Sequence, residues 1–199
     1  MSNGAVYPKL ELKDYGGEVR GCHTKQLIEN DETIIQIPLR CLITVEMGKE
    51  TDIGRAIIAA NIDLDAPKHI FIMIFMLIDR RNQNSFFKPY YDILPTTLHN
   101  MPVFWTEEEL EYLKGSFLLT QIDERNLAME KDYNDICTAA PMFSCLATLE
   151  EFKWARMCVC SRNFGLIVNG VRTAGIKCTF LYLLFFVNTP TKFSNGSVC

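Results

Sequence analysis

The sequence has no apolar stretch long enough to span a lipid bilayer. Its longest apolar runs are residues 70–78 and 180–187, well short of the about 20 residues that a membrane-spanning helix needs. Residues 1–17 also lack the apolar core of a secretory signal or an anchor. We therefore expect a soluble, intracellular protein, cytoplasmic or nuclear, with no membrane partner.

The short motifs of several large enzyme classes are also missing. There is no G-x-S-x-G, no P-loop and no G-x-G-x-x-G, so hydrolase, nucleoside triphosphatase and dinucleotide-binding functions lack their usual support. None of the three histidines has an acid or a cysteine at metal-ligand spacing, and no two of the eight cysteines form a C-x-x-C pair. We assign no metal, and we expect mostly reduced, buried thiols.

An excess of positive charge is the third feature that the sequence lacks. It has 20 basic and 24 acidic residues and a formal net charge of -4, which gives no general attraction to nucleic acid. We expect no direct binding to nucleic acid, and the composition gives no information on the oligomeric state. At 199 residues with 48% hydrophobic content, the chain can bury a core as one domain or as a small domain with an insertion.

The patterning of the sequence indicates an α+β protein with four segments. They are an N-terminal β unit at 1–46, a helical insertion at 47–147, a helix with a hairpin at 148–176 and a divergent tail at 177–199. Alternation of apolar and polar residues predicts a short strand at 7–12. Segments rich in β-branched side chains predict strands at 32–38 and 41–45. Apolar spacing predicts helices at 51–60, 67–79, 106–118 and 122–137.

Two of these predictions are specific enough to test directly. The helix at 67–79 is apolar nearly all round, so it should lie in the middle of the helical layer with Met73 and Met76 as core residues. Asn169 and Gly170 form the strongest turn signal in the chain and predict a hairpin between strands at 166–168 and 171–174.

The helix predicted from Thr148 carries the best candidate for a binding residue. Thr148 and Glu151 form a capping box that starts the helix, and Gly165 is the expected C-terminal stop. Arg162 projects from the last turn, where a rigid guanidinium with five donors suits a carboxylate or a phosphate. The simpler alternative is that Arg162 only caps carbonyl groups at the helix end or pairs with a surface acid.

Several stretches, in this order, resemble one family. The chain is similar to the SET-domain protein methyltransferases of the Rubisco large-subunit lysine methyltransferase type over roughly residues 15–173. The matching stretches are RGCHT at 20–24, ETIIQIP at 32–38, SFFKPYYDILP at 85–95, FWTEEELEYLKGS at 104–116 and WARMCVCSRNF at 154–164.

This resemblance implies S-adenosyl-L-methionine as the methyl donor and a side-chain nitrogen of a protein substrate, usually lysine, as the acceptor. It also implies a SET fold in which a small β unit carries a large helical insertion. The positions that it implies for cofactor binding are Glu18, Val19, Arg20, Gly21 and Arg162, with Arg162 at the methionine end. Phe164 is the implied substrate-binding residue, as an apolar wall beside the target nitrogen, and no catalytic residue is assigned.

The sequence departs from the family pattern after residue 174. The family continues with an Asn-His pair that helps to hold the cofactor and with a C-terminal segment that carries an active-site tyrosine, and neither motif follows here. We therefore expect that the C-terminal SET portion is missing and that the activity of this chain is in question. The alternative interpretation is a non-catalytic SET-derived fragment or a protein-binding module.

Overall fold

The computed structural model describes residues 4–16, 20–168 and 171–177. Their backbone separates into two compact units, the first ending at Cys41 and the second beginning at Leu42. The strands are β1 (Leu10–Asp14), β2 (Arg20–Thr24), β3 (Leu42–Thr44), β4 (Asn163–Val168) and β5 (Val171–Lys177). The α-helices are α1 (Val45–Lys49), α2 (Asp52–Ala60), α3 (Pro67–Asp79), α4 (Lys88–Tyr91), α5 (Glu107–Leu110), α6 (Phe117–Ala139), α7 (Met142–Leu146) and α8 (Leu149–Cys160). The predicted α+β class is confirmed, whereas the division into four segments stays a prediction.

The N-terminal unit is built on the antiparallel pair of β1 and β2. Leu10 lies opposite Thr24, and Asp14 lies opposite Arg20. Leu10 and Cys22 are buried together, and Lys9 forms a 2.7 Å ion pair with Glu32 beside them. The first strand therefore begins three residues later than we predicted.

The strand predicted at 32–38 is wrong. Only one β-bridge forms there, between Val6 and Gln36. Asp31 takes a positive φ of 60°, and the Glu32 carboxylate accepts a hydrogen bond from the amide of Glu29 at 2.9 Å. A tight turn at residues 29–32 therefore precedes this segment, and residues 32–38 form no ladder beyond that single bridge, because β-propensity alone does not supply a partner strand.

The second unit contains a three-stranded antiparallel sheet in the order β3-β5-β4. Leu42 pairs with Lys177 across β3 and β5, and Val168 pairs with Val171 across β4 and β5. The pairing of β4 with β5 agrees with the predicted hairpin. The turn itself, at Asn169 and Gly170, and the tail after Lys177 lie outside the described residues.

Helix α3 lies at the centre of the helical layer, as predicted. Met73 and Met76 are fully buried, and the helix packs against α1 and α8. Gly48 of α1 makes this packing possible, because a Cβ atom at that position would overlap with the carbonyl of Phe71. No helix in the described part of the chain is long and apolar enough to cross a membrane.

The long helix predicted at 106–118 is instead broken into pieces. Helix α5 has only four residues and continues as a 3-10 turn at Glu111–Leu113. Gly115 takes a positive φ of 82°, and the Ser116 hydroxyl accepts a hydrogen bond from the Leu118 amide at 3.2 Å to start α6. The glycine and the new N-cap end one helix and begin the next.

Candidate functional site

Helix α8 holds the candidate arginine at its C-terminal end. The Thr148 hydroxyl accepts from the Glu151 amide at 3.2 Å, and the Glu151 carboxylate accepts from the Thr148 amide at 3.2 Å. The predicted capping box is therefore present. Phe152, Ala155 and Val159 are fully buried, so packing fixes the whole helix and with it the residues that follow.

Side chains, and not a glycine, close the end of α8. The Ser161 hydroxyl donates to the Met157 carbonyl at 2.8 Å, and the Asn163 amide donates to the Val159 carbonyl at 3.0 Å. Gly165 lies within β4 opposite Ala174, so our prediction that it ends the helix is wrong. A left-handed residue is unnecessary there because these side chains satisfy the last carbonyl groups.

Arg162 follows directly and is only 8% exposed. Its Nη1 donates to the Ser161 hydroxyl at 2.5 Å and to the Cys158 carbonyl at 3.3 Å. The guanidinium therefore caps its own helix, as the simpler alternative predicted. Burial lowers the pKa of Arg162 from its usual value, and the neighbouring Cys158 and Tyr90 act in the opposite direction. A buried cation in this setting is stabilised by any anion that reaches it.

Cys158 and Tyr90 are buried residues close to the Arg162 guanidinium. Burial raises the pKa of the Cys158 thiol to about 11, against the opposing effect of Arg162 and Arg80, so this thiol stays protonated and unreactive at neutral pH. Tyr90 belongs to α4 in the helical insertion and is buried. It lies in one of the stretches that carry the family resemblance, but we assigned it no role from the sequence.

The same stretch of the insertion is tied to α8 at a second point. The indole Nε1 of Trp154 donates to the Pro95 carbonyl at 2.9 Å, and the Arg80 guanidinium lies 4.7 Å from the centre of the Trp154 ring. The Tyr91 hydroxyl donates to Asp79 at 2.8 Å. Two stretches that are about 60 residues apart in sequence thus pack together around the end of α3.

The other predicted cofactor residues belong to the N-terminal unit. Glu18 and Val19 lie outside the described residues. Arg20 and Gly21 are the first two residues of β2. A Cβ atom on Gly21 would lie 3.0 Å from the ring of Tyr15, so the absence of a side chain lets this aromatic ring approach the strand. That these residues meet Arg162 around one ligand stays a prediction.

Phe164 lies in β4 opposite Gly175 of β5 and is partly buried. It follows Arg162 by two residues in the sequence. Its role beside a target nitrogen stays a prediction.

A wide groove on the helical part of the second unit was not foreseen. It has a volume of about 940 Å³ and lies against the start of α8 and the end of α3. Its walls include Arg80, Tyr91, Asp92, His99, Phe104 and Trp154. Arg80 is held in its wall by an ion pair of 2.5 Å with Glu151. The only sequence signal for this groove was the density of aromatic and proline residues in its walls.

The described residues contain no group of three or more His, Cys, Asp or Glu side chains that could hold a metal ion. Of the cysteines within them, Cys158 is buried and Cys160 is exposed. The two thiols therefore lie on different sides of α8.

This fold is that of the SET-domain protein methyltransferases. The SET domain of LSMT bound to methyllysine and AdoHcy aligns with a TM-score of 0.75 and 22% identity, over 92% of this chain and 41% of that chain. Rubisco LSMT bound to AdoMet aligns with a TM-score of 0.65 and 24% identity, over 78% of this chain and 36% of that chain. The resemblance predicted from the sequence is confirmed.

Curated relatives agree with this class. The chain is 26% identical over 169 residues to the actin-histidine N-methyltransferase of Gallus gallus and 27% identical over 169 residues to that of Papio anubis. Both alignments cover 81% of this chain and 28% of the relative. This chain therefore spans little more than a quarter of the length of the curated relatives that it matches. No family model matches it.

Proposed function

We propose that the chain carries the methyl-donor side of a SET-type protein N-methyltransferase. S-adenosyl-L-methionine is the proposed cofactor, and a side-chain nitrogen of a protein, usually lysine, is the proposed acceptor. The observation that carries this proposal is the buried guanidinium of Arg162 at the end of α8. The solved neighbours support it, because they contain AdoHcy, sinefungin or AdoMet.

Arg162 would bind the carboxylate of the methionine end of the cofactor. A guanidinium donates two parallel hydrogen bonds to a carboxylate, and such charge-assisted bonds are stronger than neutral ones. Burial increases the Coulomb attraction between the two charges, since less water screens them. The same burial that lowers the pKa of Arg162 therefore makes this position selective for an anion.

The remaining proposed contacts follow the resemblance. Backbone groups of Glu18, Val19, Arg20 and Gly21 would lie along the cofactor, and Phe164 would form an apolar wall of the acceptor channel. Bound there, the sulfonium supplies a methyl group to the attacking nitrogen and leaves as a thioether. An amine attacks only in its neutral form, and an apolar wall favours that form because desolvation disfavours the charged one.

The proposed setting is the cytoplasm or the nucleus, with a protein and not a nucleic acid as the acceptor. The formal net charge of -4 supports the exclusion of nucleic acid, because a phosphate backbone attracts a basic surface.

The second candidate function is a non-catalytic role in protein binding, and two observations support it. The residues before the three histidines are Cys22, Lys68 and Leu98, so the sequence holds no Asn-His pair. A groove of about 940 Å³ with aromatic and charged walls offers a surface for a protein partner without any turnover.

Titration calorimetry of the full chain with S-adenosyl-L-methionine tests the proposal. We expect weak binding, with a dissociation constant on the order of 1 mM, because the Asn-His part of the wall is absent. Arg162→Ala should abolish the heat of binding. Arg162→Lys keeps the charge and loses the bidentate geometry, so it should retain only part of the affinity.

Three outcomes would change the interpretation, provided that circular dichroism shows each variant to be folded. Binding that is unchanged in Arg162→Ala would remove this residue from the cofactor site. An absence of binding by the unmodified chain would favour the non-catalytic role. Tight binding that Arg162→Ala abolishes would show that the site does not need the Asn-His pair.

A further inference from the structure

A second cluster of reactive side chains lies where α8 meets the start of α3. Cys160 is the last residue of α8 and is exposed. Its Sγ lies 3.7 Å from Nδ1 of His69, in the first turn of α3. This distance suits a hydrogen bond between a thiol and an imidazole nitrogen, since sulfur is larger than oxygen.

Asn163 also contacts the imidazole of His69. Its amide nitrogen donates to the Val159 carbonyl at 3.0 Å and to the Cys160 carbonyl at 3.4 Å, which leaves its carbonyl oxygen as an acceptor. Asn163 is a hydrogen-bond partner of His69 and favours the protonated ring, as expected when that oxygen accepts from a ring N–H. A neutral imidazole that donates one N–H keeps a lone pair on its other nitrogen.

Burial is the largest influence on His69 and lowers its pKa. The ring is therefore neutral at pH 7 and can accept a proton. Arg156 and Arg125 also lower the pKa of His69, whereas Asp65 raises it. The two arginines converge on Asp65, at 2.7 Å for Arg156 and 3.8 Å for Arg125.

Charges of both signs lie close to the cluster. Arg156 is 1% exposed, and its Nε and Nη1 atoms have no hydrogen-bond partner among the described residues. It lies near the carboxylates of Asp65 and Asp132, so these charges do not by themselves distinguish Cys160. The feature that distinguishes the Cys160 thiol is its contact with Nδ1 of His69, because a neutral imidazole can accept its proton.

We propose that Cys160 is a thiol-modification site, with His69 as its proton acceptor and Asn163 as the residue that orients the imidazole. The proposed co-reactant is a small-molecule disulfide such as oxidised glutathione. The site is independent of the proposed methyl-donor function.

The reaction is a thiol-disulfide exchange. The Sγ proton passes to Nδ1 of His69, and the thiolate attacks one sulfur of the small disulfide. A new bond forms between Sγ and that sulfur while the original disulfide bond breaks. The released thiolate takes the proton from the imidazolium, so one mixed disulfide and one free thiol result.

The chain contains a matched control for this site. Cys145, on α7, is also exposed and makes no contact with a described histidine. We would incubate the full chain with oxidised glutathione near pH 7, stop the reaction by alkylation and measure the occupancy of both cysteines by peptide mass spectrometry. We expect modification of Cys160 to be at least about tenfold faster than that of Cys145.

His69→Gln should bring the two rates close together, because glutamine cannot accept the proton as a base. The rate at Cys145 should not change, and this serves as the measure of an intact fold. Equal rates at the two cysteines of the unmodified chain would overturn the proposal. So would a His69→Gln variant in which Cys160 keeps its full advantage.

Discussion

Two buried arginines, Arg156 and Arg162, lie within seven positions of α8 and its end, and they differ in how far the sequence predicts them. A single sequence shows charged residues in a helical pattern, and charged residues are usually exposed. Arg162 could be proposed from the sequence because a helix end and a family resemblance both pointed to it. Arg156 carried no such signal, because its partner Asp65 is 91 residues away.

The pair of Arg156 and Asp65 leads to a prediction about stability. The Arg156 side chain is 1% exposed and forms a 2.7 Å ion pair with Asp65. Arg156→Ala removes this pair, leaves a cavity and takes away the cation beside the buried Asp132. We expect the free energy of unfolding to fall by about 2–5 kcal/mol, mainly because a fully buried side chain is lost, since the Asp65 carboxylate that remains is 43% exposed and can be hydrated.

Arg125 provides the control for that experiment. It approaches the same Asp65 at 3.8 Å, but its side chain is 47% exposed. Arg125→Ala should therefore cost less than about 1 kcal/mol. Urea unfolding of both variants measures the difference. Similar losses of unfolding free energy would show that the burial of Arg156 does not increase its contribution to stability.

At the scale of elements, local signals predicted the starts of helices better than their ends. The Thr148 capping box and the proline at the start of α3 both mark real helix starts. The predicted end of α8 at Gly165 was wrong, because the side chains of Ser161 and Asn163 bind the last carbonyl groups of the helix. Such contacts depend on the folded backbone. Local propensity also failed at 32–38, where the segment forms one β-bridge and no ladder.

Two capping boxes within the described residues, at Thr106 and Thr148, allow a direct comparison of helix starts. Thr148→Ala should lower the free energy of unfolding by about 1 kcal/mol, because α8 is packed in the core and its first turn is also tied to Arg80 through Glu151. Thr148→Ser keeps the hydroxyl and should restore most of this loss. Chemical denaturation of the two variants provides the measurement.

Thr106→Ala removes the equivalent contact from α5. That helix has four residues, none of them buried, so we expect a smaller loss than at Thr148. If both alanine variants lost the same free energy of unfolding, the contribution of the Thr148 cap would not depend on the packing of α8.

At the scale of the whole molecule, the fold class could be predicted from the sequence, whereas the contacts between distant stretches could not. The apolar run at 67–79 placed α3 in the core, and the stretches of family resemblance identified the SET fold. The contacts that join those stretches, such as Trp154 to Pro95, involve partners that are distant in sequence. Their pairing depends on the packing of several helices, which no local pattern encodes.

The pH dependence of stability reports on the buried charges of the second unit as a whole. Burial lowers the pKa of His69 from its ordinary value of 6.5, so the unfolded chain takes up this proton at a higher pH than the folded chain. In that interval the unfolded state binds more protons, and stability falls as the pH falls. Burial raises the pKa of Asp132 from its ordinary value of 3.8. Just above pH 3.8 the folded chain therefore binds more protons at this carboxyl than the unfolded chain, and this contribution to stability rises as the pH falls.

The contribution of His69 can be isolated by a comparison with His69→Gln. We expect the unmodified chain to lose more stability than the variant between about pH 7.5 and about pH 5.5, because only the unmodified chain has to bury or expel a proton at this position. The urea midpoint of each protein at the two pH values measures the effect. Equal losses would mean that the imidazole titrates alike in the folded and unfolded chains, and the burial of His69 would then not be maintained in solution.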